Sequence, residues 1–271
     1  APTPRPAPRP PAAPPAPAPT AAPPAAVETG PWRFAWTTEA RQFRVRTEAD
    51  VARAGERERV ETTGLVTVAV LPVQGGSPRG VSARVDSLLV RASERVAGRA
   101  SPGPAAPATM RGTISARGAV RLESEAAAAG CASPGGAAAL TALGLAREVM
   151  PRVPATLTAG LRWRDTTSVA GCAGPLPVTV QTVVAYEVEG AERGAVRVRR
   201  RTTSTLRGQG FAGGQAVRVA GTGSADAVLV LDAGRGALRE GSGEGTSTVT
   251  LTMGTAVETF SQQTRVRVEP R

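Results

Sequence analysis

Along most of the chain, apolar and polar residues alternate with a period of two, the spacing that puts one set of side chains on one face of a strand. Trp32, Phe34 and Trp36 alternate first, then Phe43, Val45 and Thr47, then Val66, Val68 and Val70. Val81, Ala83 and Val85 alternate with Ser82, Arg84 and Asp86. Met110 to Glu123 reads as a hairpin turning at Ala116-Arg117-Gly118, where glycine supplies the positive φ that such turns need. Leu161 to Val169 opens the second half. Val178, Val180, Thr182, Val184, Tyr186 and Val188 share a face of the next strand, with Gln181, Glu187 and Glu189 opposite. Ala195 to Thr205 alternates valine with arginine, Ala216 to Ser224 follows, and Ala227 to Leu231 meets a turn at Asp232 to Gly236. Thr246 to Met253 puts Val249, Leu251 and Met253 on one face and threonines on the other, and Thr264 to Val268 comes last.

One segment breaks this rhythm. Ser133-Pro134 offers an N-cap with proline at the first helical position. Leu140, Leu143, Ala146, Val149 and Met150 then recur at helical spacing until Pro151 and Pro154. The helix would lay an apolar stripe on the sheet. Short glycine turns between successive strands predict antiparallel hairpins rather than βαβ crossovers, with about eleven or twelve strands in all. The fold expected is mainly β, one large antiparallel sheet with one amphipathic helix.

Composition changes the picture at the N-terminus. Residues 1–26 are nearly all Pro and Ala, with Thr, Arg5 and Arg9. Such a segment favours polyproline II and lacks the apolar content to form a core. It reads as a disordered tether or tail, leaving 27–271 as the antiparallel β domain. No apolar run approaches the roughly 20 residues needed to span a bilayer as a helix. No signal sequence is visible. A start at Ala1 inside low-complexity sequence suits a mature exported product, expected in the periplasm or outside the cell and tethered to the envelope.

The net charge of +11 comes entirely from arginine, for the chain has no lysine, histidine or asparagine. That field attracts anions. A coding bias toward Arg, Ala, Gly and Pro is the simpler account of it. Aromatic residues are 3% of the chain, too few to stack bases between the arginines. With no helix-turn-helix, ribonucleoprotein or zinc-finger pattern, nucleic acid is not an expected partner.

Candidate chemistry is sparse. Without histidine there is no Ser-His-Asp or Cys-His pair, and without lysine no Schiff base or phosphate-loop lysine. Gly208-Gln209-Gly210-Phe211-Ala212-Gly213 matches G-x-G-x-x-G, but a strand-like pattern follows it where a dinucleotide site needs a helix. It reads as a glycine-rich hairpin loop, so no cofactor is expected. Asp226 and Asp232 look like turn residues, and Glu240 and Glu244 like part of a mobile Gly/Ser loop. No enzyme, metal or catalytic residue is expected. Cys131 and Cys172 flank the helix and the next strand, which in an exported domain predicts a disulfide, with free thiols or a metal pair as alternatives. Arg197, Arg199, Arg218, Arg265 and Arg267 alternate with valine. Such a face suits bidentate contact with phosphate or carboxylate, or is simply a solvated outer face whose charges discourage edge aggregation.

The sheet interrupted by one helix, Met150-Pro151-Arg152-Val153-Pro154, the Gly160-Leu161-Arg162-Trp163 strand start, Tyr186-Glu187-Val188 and the late Asp232 to Gly236 hairpin resemble uncharacterised bacterial exported proteins of the lipoprotein-carrier-like (LolA-like) class. The resemblance implies a curved, half-open sheet or barrel with the helix wedged against its concave face, which in such carriers binds acyl chains. The expected function is a non-enzymatic envelope module holding a lipid acyl chain or apolar protein segment. Val180, Val184, Tyr186, Val249, Leu251 and Met253 are the candidate lining. The alternative is a structural envelope domain contacting an anionic wall or membrane surface.

Overall fold

The structure, a computed structural model, describes residues 29–53, 55–72, 79–92, 108–123, 131, 134–173, 176–212 and 214–271. The tether, the segment at 101–107 and the Ser133 cap fall outside these residues.

The alternating runs form strands, most of them longer than their apolar stretches. The N-terminal half contains β1 (Trp32–Arg33), β2 (Arg41–Arg53), β3 (Glu56–Val70), β4 (Arg79–Ala92), β5 (Ala108–Ile114) and β6 (Val120–Glu123). The helix α1 (Pro134–Val149) follows. After it come β7 (Thr156–Leu157), β8 (Arg162–Ala173), β9 (Leu176–Glu192), β10 (Ala195–Ala212), β11 (Gln215–Asp232), β12 (Ala237–Met253) and β13 (Ala256–Pro270). The extra length in β3, β10 and β12 lies where Thr, Ser, Gly, Arg and Glu replace the apolar alternation.

Eleven strands form one antiparallel sheet in the order β6-β5-β4-β3-β2-β13-β12-β11-β10-β9-β8, and β1 pairs with β7 in a small second sheet. The chain therefore starts at the centre, meanders to the β6 edge, crosses through α1 to the β8 edge, and meanders back to lie beside its own beginning. Because α1 joins the two edges, it lies across the sheet and packs on β2 to β6 from one side and on β8 from the other. Leu145 sits over Gly64 in β3, where an added Cβ would come within 2.6 Å of Leu145 Cδ1.

The sheet curls around this helix, and inward-facing glycines permit the curl. Directly opposed Cβ atoms in an antiparallel pair ordinarily stand about 4.5–5.5 Å apart. A Cβ at Gly243 would come 2.5 Å from that of its partner Ala227, and one at Gly245 would come 2.8 Å from that of Ala225. At these two positions the inner side of β11 and β12 is too compressed for two side chains to face each other.

One core occupies the base of the half-barrel. Phe43, Val45, Val66, Val85 and Met110 meet Ala142, Leu145, Ala146 and Val149 of α1, with Val188, Val198, Leu229, Leu231 and Val268 alongside. Burying each Val or Leu contributes about 1.5–3 kcal/mol. Phe34 and Trp36 close the base edge-to-face, with ring centroids 5.2 Å apart. Backbone bonds from Phe34 N–H to Ala155 O and from Thr37 N–H to Gly236 O hold this segment in place.

Candidate functional site

The strand registers arrange the concave face of β9 to β13 in layers running away from the base. Tyr186, Arg200, Ala227, Gly243 and Val266 form the layer next to the base core. Thr202, Ala225, Gly245 and Thr264 come next, then Thr182, Ser204, Gly223, Ser247 and Gln262. Beyond this belt of small and hydroxyl-bearing residues the face turns apolar again. Leu176, Val178, Val217 and Val219 form a second buried cluster, separate from the base core. Val180, Leu206, Val249 and Leu251 pack against it, each half-buried.

Glycines build this second cluster. Gly208 and Gly210 stand within β10 rather than in a hairpin loop, on its inner face. A Cβ at Gly208 would meet Val178 Cγ1 at 2.6 Å, and one at Gly210 would meet Leu176 Cδ2 at 2.8 Å. Their bareness lets the β9 side chains cross β10 and reach Val217 and Val219 on β11. Gly213, the last glycine of the G-x-G-x-x-G match, lies outside the described residues.

Between the two apolar regions, charged residues pin the end of α1. Arg200 Nη2 donates to Glu148 Oε2 at 2.7 Å. Burial works against the Arg200 guanidinium, and Glu148 with Tyr186 more than offsets it, so its pKa stands above the ordinary value. Arg152 Nη1 donates to Arg164 O at 3.0 Å and to Asp165 Oδ1 at 3.2 Å, and Trp163 Nε1 donates to Arg152 O at 3.0 Å. Burial lowers the Arg147 pKa, partly opposed by Asp165. Trp163 stacks on Tyr186 with centroids 4.9 Å apart and planes 8° from parallel. Burial pushes the Tyr186 pKa up to about 12, against the pull of Arg200.

The sequence-derived lining is split by this arrangement. All six residues face inward on β9 or β12. Tyr186 is buried in the base core and Val184 packs on that core. Val180, Val249 and Leu251 belong to the distal cluster. Met253 lies at the far end of β12, 37% exposed. Leu176, Val178, Leu206, Val217 and Val219 of this distal cluster are not among the six residues of the candidate lining. Their signal was the alternation of Gly208 and Gly210 opposite valines.

Other expectations change too. Asp226 is mid-strand in β11, on the outer face, 3.3 Å from Arg201. Glu240 and Glu244 lie in β12, not in a loop. Asp232 is a turn residue as read, its Oδ1 accepting from Arg235 N–H at 2.9 Å. Cys131 Sγ lies 3.1 Å from Gly171 O, next to Cys172 in β8, while the Cys172 side chain is outside the described residues. Among the described residues no His/Cys/Asp/Glu cluster is arranged to hold a metal, and no helix is long and apolar enough to cross a membrane.

The outer face is laced with ion pairs. Arg59 pairs with Glu48 at 2.6 Å, Arg162 with Glu187 at 2.8 Å, and Arg199 with Glu189 at 3.0 Å. Three adjoining grooves, of about 750, 340 and 660 Å³, run along this face between β10 and β3. No protein-family model matches the chain, and no curated protein matches it in sequence.

Proposed function

We propose that this protein is a non-enzymatic binding module of the cell envelope that holds a lipid acyl chain, or an apolar protein segment, on the distal part of its concave face. The observation that carries the reading is the second apolar cluster, Leu176, Val178, Val217 and Val219 with Val180, Leu206, Val249 and Leu251 against it. It shares a face with the base core yet stands apart from it, behind a belt of Thr, Ser and Gly. Apolar lining with a few polar groups at one end is the usual form of a site for an amphiphile. The alkyl chain lies along the valines and its polar end meets the hydroxyl belt. The resemblance to lipoprotein-carrier-like proteins points the same way.

The test is native mass spectrometry of the protein purified from an exporting host, followed by organic extraction. A co-purifying lipid is expected. Val249→Arg and Leu251→Arg are expected to lose it while circular dichroism and the thermal midpoint stay near those of the parent. These positions test the site more cleanly than Val184, which packs on the base core. A bare mass, together with no binding of a fluorescent fatty acid, would sink the reading and favour a structural envelope domain.

The exported setting carries with it a Cys131–Cys172 disulfide. Closing a loop of about 40 residues stabilises by up to about 4 kcal/mol on the chain-entropy model. No thiol is expected to titrate in the denatured, unreduced protein, and two reactive thiols would rule the pairing out.

A further inference from the structure

On the outer face, one transverse row sets two arginines directly against each other. The registers align Arg199, Val228, Ser242, Arg267, Arg46 and Thr63 across β10, β11, β12, β13, β2 and β3. Arg267 and Arg46 are directly opposed. Like charges facing each other across an antiparallel pair are destabilising. Three arginines of β10 on this face have acids: Arg197 and Arg199 share Glu189, and Arg201 has Asp226. Neither Arg46 nor Arg267, nor Arg265 beside them, has a carboxylate within ion-pair distance among the described residues. Nearby acids are largely committed, Glu48 to Arg59 and Asp226 to Arg201, leaving Glu244 opposite Arg265. All three arginines line the groove of about 750 Å³, together with Arg199, Ser242 and the three acids Glu48, Asp226 and Glu244.

We propose that this row is a binding site for a phosphate group. Two guanidinium forks side by side present paired donors to a tetrahedral anion, and Ser242 adds a hydroxyl from the adjoining strand. Bound phosphate cancels the repulsion between Arg46 and Arg267, so binding and stability are linked. The site is independent of the acyl-chain reading, because it uses the opposite face of the sheet.

The thermal midpoint is to be measured in sodium phosphate and in sodium chloride at matched ionic strength, for the parent chain and for Arg46→Gln, Arg267→Gln and Arg84→Gln. Phosphate stabilises most proteins somewhat by exclusion from their surface, and that part persists in every variant. The expected result is an additional rise of a few degrees in the parent and in Arg84→Gln, absent from Arg46→Gln and Arg267→Gln. An equal phosphate response in all four chains overturns the proposal. With the specific response in hand, flotation with phosphatidylglycerol vesicles identifies the source. Flotation lost in Arg46→Gln and absent with phosphatidylcholine assigns a lipid headgroup, and no flotation assigns a phosphate-bearing ligand free in solution.

Discussion

Tyr186 is the only tyrosine in the chain, and no lysine titrates near it in pH. Its phenol is buried against Trp163, and burial holds the pKa at about 12. An unfolded tyrosine ionises near pH 10. Between these values the unfolded chain releases a proton that the folded chain keeps, so stability falls as pH rises through that window. The full contribution is present below about pH 10, and about 2–3 kcal/mol is lost by about pH 12. Tyrosinate absorbance is expected to rise in a single step near pH 12, together with loss of near-ultraviolet circular dichroism. A step near pH 10 in a chain that stays folded would contradict the burial argument. The sequence placed Tyr186 on the correct face of its strand, but the alternation of valine and tyrosine carries no sign of how close each layer lies to the helix. That is why Tyr186 was grouped with Val180 as lining when it belongs to the base core.

At the scale of elements, glycine carries much of what the sequence pattern left unread. Gly/Ser-rich stretches read as loops because glycine weakens an isolated strand and leaves its apolar face blank. In the sheet those same residues are the inner positions where neighbouring strands come too close for side chains. Gly243→Val would drive a side chain into Ala227. It is expected to cost about 1–3 kcal/mol, as overpacking does, measured by chemical denaturation. A loss under half a kcal/mol would show that the sheet flattens freely at that point. The helix, by contrast, was legible in its bounds, while the Ser133 cap and the Leu140 side chain lie outside the described residues. Its stripe, its N1 proline and the prolines after Met150 are local signals, and α1 begins at Pro134 and ends at Val149.

At the scale of the whole molecule, the pairing of β13 with β2 joins the two halves of the sheet, and it brings β13 to the centre. Truncation before Ala256 removes a central strand rather than an edge. It exposes the inner faces of β2 and β12 together, including the contact of Val268 with the base core. Such a chain is expected to lose cooperative unfolding, seen by circular dichroism and calorimetry. Retention of a sharp transition would mean that the two halves fold as separate units. Neither this pairing nor the crossing of α1 between the two edges follows from any local pattern. By itself the sequence determined that the chain forms antiparallel strands with one helix, because period, turn chemistry and capping act over a few residues. Only the tertiary structure decided how far the strands extend, which valines join the core and which form the distal cluster, and that Arg46 faces Arg267. Each of these depends on which strands become neighbours and how sharply the sheet curls, which long-range pairing alone sets.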